Sequence, residues 1–298
     1  MFSVPEQKRV RVIIDADAKN EADDQYAIVH ALLTPKFDVK GLIGAHYGSR
    51  QYADSMNRSY EECRKLVSMM KKTQEVPVYR GASEAVKDEG CFEYSEGAKA
   101  IVEECMAEDE RPLFVAFTGP ITDLACAWLA HPEIAGRMTA IWIGGGAYPD
   151  GGQEFNLSND VKAANIVFQS DIDLWQVPID VYSKMMVSLT ELEMKVAGCG
   201  EVGDYLFRQL VEFNDSLAEQ LYWPNGESWC LGDSPVVGLM MDQMHFRAGE
   251  QEAPAVDQDL RYHFSGGGRK IRVYHDINDR FILEDFYAKI KKYARKHT

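Results

Sequence analysis

The chain has 298 residues, 46% of them apolar and 27% charged, a balance that fits a globular fold with a full core and excludes disordered and fibrous classes. Thirty-two Lys and Arg against 47 Asp and Glu give a formal net charge of −15. That charge disfavours nucleic acid and anionic membrane as partners and suits a divalent cation or a neutral polar small molecule.

In chain order, "VRVIID" is a short β-branched run ending in Asp15, and "DDQYAIVHALL" follows with apolar residues at helical spacing. "VKGLIGAHYG" reads as the next strand and runs into a Gly-bounded loop. The long helical pattern "YADSMNRSYEECRKLVSMMKK" and the strand "VPVYRG" come after it. Then follow the helix "SEGAKAIVEECMAE", the strand "PLFVAFTG" and the helix "PITDLACAWLAHPEI", with proline at its first turn. "MTAIWIGGG" and "DLWQVPID" are two more strands around the helix "NDVKAANIVFQS". This alternation, which lasts to about Asp180, predicts an α/β fold: a mostly parallel central sheet with helices on both faces.

From Ser188 to Met244 the pattern turns mainly helical; "LRYHFSGGGRKIRVYHDI" reads as a hairpin and "RFILEDFYAKIKKYARK" as a closing helix. No Pro, Gly and Ser linker, low-complexity stretch or repeat divides the chain. Residues 1–298 are therefore expected to form a single domain with a helical insertion in the C-terminal third. The six cysteines are scattered without a C-x-x-C pair, which points to reduced thiols. No apolar run approaches the ~20 residues of a membrane span, and "MFSVPEQKRVRVIID" lacks a signal-peptide pattern, so a cytoplasmic location is expected.

In parallel sheets, ligand sites lie beyond the carboxyl ends of the strands. Asp15, Asp17, Glu21, Asp23 and Asp24 crowd the first such end. Their repulsion calls for a positive partner or for bulk water, and carboxylate oxygens are the ligands that hard cations prefer. The plainer alternative is that "NEADD" only caps and charges the start of the next helix. Three other features bear on the choice. "FTGPITDL" puts Thr118 and Gly119 at another strand end, "WIGGGAYPDGGQEFN" follows a third strand with Glu154 and Asn156, and "LGDSPVV" brings Asp233 to a helix start. Acids and an amide from such distant segments could converge on one pocket.

Taken together, "DADAKNEADD", "TGPITDLA", "IGGGAYPDGGQEFN" and "LGDSPVV" resemble, in order and over nearly the whole chain, the motifs of the nucleoside hydrolase family of inosine–uridine-preferring ribohydrolases. The resemblance implies a Rossmann-like nucleoside hydrolase fold, a bound calcium ion, and hydrolysis of the N-glycosidic bond of a ribonucleoside or related riboside. On that likeness Asp17, Asp24, the Thr118 carbonyl and Asp233 would hold the metal, and Asp17 would also accept a proton from the attacking water. Asp23, Glu154 and Asn156 would bind the ribose hydroxyls, with Asp15 ordering the loop from behind. A homodimer or homotetramer is the family's usual assembly.

The likeness breaks in places. The step from Asp17 to Asp23 is longer than the family's, which leaves Glu21 and Asn20 unassigned. Asp123 stands where Asn is usual and reads as a surface or helix-turn change of little consequence. Gly232 precedes Asp233 where many members carry a His, the acid for the departing base. His46, after the strand "GLIGA", would suit the pocket mouth, although a lone His is more often structural. Tyr47, Tyr222 and Trp229 are other candidate donors, and Tyr222, Trp223 and Trp229 could stack on a base or belong to the core. Two further functions stay open: a metal- and ribose-binding protein that has lost hydrolysis, and a magnesium-dependent phosphohydrolase, which leaves "EFN" unexplained. The base or aglycone is not legible.

Overall fold

The first apolar run forms β1 (Val10–Ala16), buried over its whole length as a strand covered on both faces must be. In this computed structural model, which describes residues 2–48, 52–220, 222–243 and 246–297, Val12 and Ile14 join one apolar layer and Ile13 the other. The next elements are α1 (Asp24–Leu32), β2 (Phe37–Gly44), α2 (Ser55–Met69), β3 (Val78–Arg80), α3 (Glu96–Met106), β4 (Leu113–Phe117) and α4 (Thr122–Ala130). After them come β5 (Thr139–Ile143), α5 (Phe155–Asn159), α6 (Val161–Gln169), β6 (Asp173–Val177) and α7 (Ile179–Tyr182). The helix-rich segment contains β7 (Met186–Ser188), α8 (Leu189–Lys195), α9 (Gly200–Ser216), β8 (Ser228–Cys230) and α10 (Pro235–Met241). The chain ends with β9 (Arg247–Glu252), β10 (Ala255–Val256), β11 (Tyr262–His263), β12 (Lys270–Asp276) and α11 (Asp279–His297).

The main sheet runs β3-β2-β1-β4-β5-β6-β12-β9, parallel except for β9 at one edge. Strand order reverses at β1, whose neighbours are β2 and β4. The connections after β1 and β4 therefore diverge and leave a crevice at the strands' carboxyl ends. α1 is buried along its full length, so its acidic start is held inside the protein. None of the described helices is long and apolar enough to cross a membrane.

Two expectations need correction. Residues 260–277 do not pair as one hairpin: β11 pairs with β10, whereas β12 lies between β6 and β9. The "SGGG" turn is shaped instead by Glu252, whose carboxylate accepts hydrogen bonds from the backbone N–H groups of Ser265, Gly266 and Gly268. The helical insertion is present but includes the antiparallel pair β7–β8.

Candidate active site

Asp17 follows β1, and Thr118 follows β4, at the crevice where the strand order reverses. The two strand ends come so close that a Cβ on Gly119 would lie 2.9 Å from the Asp17 Cβ, which accounts for glycine there. Asp23 occupies the N-cap position of α1, but its side chain makes no capping hydrogen bond. The helix-capping alternative thus leaves the Asp23 carboxylate unexplained. Asp233 arrives just before α10, and its carboxylate approaches those of Asp23 and Asp24: oxygens of all three lie within 4.8 Å of one another. Across the same small cavity, Asp17 presents a buried Oδ2 without a hydrogen-bond partner.

Thr118 Oγ1 donates to Asp24 Oδ1 at 2.7 Å and fixes that carboxylate. The Thr118 carbonyl accepts from Asn156 Nδ2 at 3.0 Å, and the same amide donates to the Ile143 carbonyl at 2.9 Å. With both N–H bonds used, Asn156 keeps its Oδ1 as a free acceptor. Glu154 caps α5 by accepting from Asn156 N and Leu157 N, and it also accepts from Gly145 N. The fourth donor is the Tyr182 hydroxyl, 2.9 Å from Glu154 Oε1.

Six carboxylates line this cavity (Asp17, Glu21, Asp23, Asp24, Glu154 and Asp233), and no basic side chain joins them among the described residues. Burial first, then mutual repulsion, raises Asp17, Glu21, Asp24 and Asp233 well above the usual carboxylate range. Burial pushes Asp23 up to about 6. Lys19, within the same loop, turns away towards Glu62 at 3.9 Å. A cluster of hard oxygen donors with an unpartnered buried oxygen and no internal cation fits a divalent metal ion. A larger cavity of ≈ 680 Å³ lies at the opposite end of β6 and β12, but its lining mixes Arg269, Lys270 and Arg272 with Asp171 and Asp173. It holds none of the acids gathered at the crevice.

Asp17, Glu21, Asp23, Asp24, Thr118, Glu154, Asn156 and Asp233 therefore share one cavity, while Asp15, His46 and Trp229 do not line it. Asp15 is buried behind the cavity, facing Asp123. Asp123 is not a surface change: it is 1% exposed, and its carboxylate accepts from Ala82 N at 3.0 Å and from the Ser95 hydroxyl. The expected pocket-mouth position of His46 is also corrected. Its Nδ1 accepts from Gly48 N at 3.1 Å, so Nε2 carries the proton and donates to Thr122 Oγ1 at 2.8 Å. Burial lowers this imidazole to about 4, which suits a structural link rather than an acid. Trp229 packs in an aromatic cluster with Phe213 and Trp223, Tyr222 is 90% exposed, and neither lines the cavity; nor does the buried Tyr47.

Ile143, Phe155 and Tyr182 are the lining residues that sequence reasoning missed. The strand-end rule could have found Tyr182, because it closes the short helix after β6. The larger surprise is at Gly232, where a Cβ would meet the Tyr182 ring at 3.0 Å and Asp23 Oδ2 at 3.5 Å. The aromatic ring fills the space in front of the glycine.

Residues 12–281 match the family described as inosine-uridine preferring nucleoside hydrolase. The chain belongs to this family. It is thus a hydrolase of the N-glycosidic bond, and the metal dependence of nucleoside hydrolases agrees with the acidic cluster. Among relatives, it is 25% identical to the pyrimidine-specific ribonucleoside hydrolase RihA of Escherichia coli O127:H6 over 227 residues, 68% of this chain and 70% of that one. The RihA of Salmonella arizonae is 27% identical over 61% of this chain and 64% of its own. Among solved structures, the plant nucleoside hydrolase PpNRh1 superposes with a TM-score of 0.75 at 18% identity, covering 95% of this chain and 99% of that one. The purine-preferring ribonucleoside hydrolase of Gardnerella vaginalis gives 0.73 at 19% identity, covering 96% and 99%. These likenesses agree with the mostly parallel sheet and its flanking helices.

Proposed function

We propose that this nucleoside hydrolase is a calcium-dependent N-ribohydrolase that cleaves a ribonucleoside or related riboside to free ribose and its base. The observation that carries the proposal is the buried trio Asp23, Asp24 and Asp233 sharing one small cavity with Asp17, Glu154 and Asn156. Asp17, Asp24, the Thr118 carbonyl and Asp233 would hold the ion. Bound there, calcium supplies a lowered pKa for the attacking water and a fixed meeting point for water and sugar.

The protein's own residues do the rest. Asp17, with its unpartnered oxygen, accepts the proton that the water gives up. Asp23, Glu154 and Asn156 bind the ribose hydroxyls and orient the anomeric carbon. The surrounding carboxylates favour the positive charge that develops on the sugar as the base departs. Asp15 supports the loop from behind.

Among the described lining residues no histidine faces the leaving group. That absence favours a base able to depart without a histidine acid, and it motivates a second reading in which the site binds ribosides without cleaving them. Metal analysis of the purified chain, with ribose release measured across a nucleoside panel, decides between them. Bound calcium and release from at least one nucleoside support hydrolysis; riboside binding without turnover across the panel supports the second reading. Asp24→Ala is expected to lose the ion and at least ~10²-fold in kcat/KM. An Asp24→Ala chain with unchanged metal content and turnover overturns the assignment.

A further inference from the structure

The cavity between the carboxylates is small, ≈ 40 Å³, room for a few water molecules. A riboside that reaches Glu154 must take over or displace one of the hydrogen bonds this carboxylate already makes. The donors indicate which one. Its carboxylate has about four acceptor positions. Three are filled by backbone N–H groups, those of Gly145 at 2.8 Å, Asn156 at 3.0 Å and Leu157 at 2.7 Å. These donors belong to the Gly-rich loop and to the first turn of α5, so giving them up would unwind the cap. The fourth donor is the Tyr182 hydroxyl, a side chain that can swing away.

Tyr182 closes α7, a helix of four residues, and is half-buried, unlike the fully buried Glu154 it touches. Gly232 gives its ring space, because any Cβ at that position would press on Tyr182 Cδ2 at 3.0 Å. The side chain missing at position 232 and the aromatic ring beside it are thus two halves of one arrangement.

We propose that Tyr182 is a displaceable placeholder for the sugar: its hydroxyl holds the one exchangeable acceptor position on Glu154 and yields it to a hydroxyl of the bound riboside. This rests on the reading of Glu154 as a sugar ligand. A ribose hydroxyl donates to Glu154 Oε1, the Tyr182 O–H bond to the same oxygen is released, and the ring retreats to widen the cavity. Substrates that lack the corresponding hydroxyl cannot make the exchange. The tyrosine thereby acts as a positioning residue that favours sugars carrying that hydroxyl.

The test is calorimetric titration of D-ribose into the metal-loaded full chain and into its Tyr182→Phe and Glu154→Gln variants, with thermal melts of each. Tyr182→Phe removes the competitor, so the Kd for ribose is expected to fall about fivefold, the equivalent of one hydrogen bond no longer broken on binding. A purely structural tyrosine would lower affinity and Tm together. Glu154→Gln is expected to weaken ribose binding. If Glu154→Gln weakens binding but Tyr182→Phe leaves the Kd unchanged or raises it, the placeholder role is overturned and Glu154 keeps its assignment. An unchanged Kd in Glu154→Gln overturns the assignment of Glu154 and the placeholder with it. A ribose-soaked crystal adds a direct reading: the Tyr182–Glu154 contact should open beyond hydrogen-bond distance, and its retention beside bound ribose rejects the exchange.

Discussion

Asp123 stands in the first turn of α4, but its carboxyl is buried against that of Asp15, one layer behind the acidic cavity. Burial pushes Asp123 up to about 6 and raises Asp15 well above the usual range, with Asp123 the next cause. Each group's folded-state pKa thus exceeds its unfolded value of about 3.9. Asp123 in the native state takes up its extra proton between about pH 4 and 6, and Asp15 shifts in the same direction, so stability declines as pH rises through that window. Asp123→Asn keeps an acceptor for Ala82 N and Ser95 and offers Asp15 an N–H. It is expected to stabilise the chain by about 1–3 kcal/mol at about pH 7.5 and to flatten that decline, as urea titrations between about pH 4 and 8 would show. A variant that is less stable at that pH would contradict the account. Gly232 yields a second expectation at this scale. Gly232→His places a side chain against Tyr182 and should destabilise the protein, and Tyr182→Ala in the same chain should recover part of that loss. The coupling expected from a double-mutant cycle is about 1–3 kcal/mol; additive losses would show that the two residues do not share space.

The loop between β1 and α1 carries the acids, and it is held at both ends from outside itself. Gln25 Nε2 donates to the Ala18 carbonyl, and Gln209 Nε2, from α9, donates to the Ala22 carbonyl at 3.0 Å. The helical insertion therefore clamps the loop that carries Glu21 and Asn20 into the cavity. Gln209→Ala strands a buried carbonyl and is expected to cost about 1–2 kcal/mol of stability and to weaken calcium binding roughly three- to tenfold by calorimetry. Unchanged affinity would mean that the loop holds its shape unaided. Elements with a strong period are legible in the sequence itself: β1, α2, α4 and α11 fall where β-branched runs and helical spacing put them. The segment 260–277 is not, because its turn answers to Glu252, a partner outside the local pattern. The site is legible where residues sit at strand ends, as with Asp17 and Thr118, or cap the helix that follows a strand and its Gly-rich loop, as with Glu154. It is not legible where burial decides the role: nothing in the letters "TDL" or "AHYG" says that Asp123 faces another acid or that His46 is enclosed.

Across the whole molecule, the net charge of −15 has a local focus, since six carboxylates share one cavity without a basic neighbour among the described residues. In the metal-free chain this repulsion opposes folding, and a cation that binds only the native state offsets it. Calcium at about a hundred times its Kd is expected to add about 2.7 kcal/mol, which raises Tm by about 4 °C, and a chelator should reverse the shift. Acidity should shrink it from both sides. Asp23 sits at about 6 and its neighbours are also raised well above the usual carboxylate range, so as pH falls through 6 protons occupy oxygens the ion would need. The same protons relieve repulsion in the metal-free chain, whose stability therefore rises where folded-state pKa values exceed unfolded ones. Scanning fluorimetry with and without calcium should give a shift at about pH 5.5 less than half of that at about pH 7.5. An equal shift at both would place the ion elsewhere than among these acids, and would remove the reason for burying so much negative charge at one strand crevice.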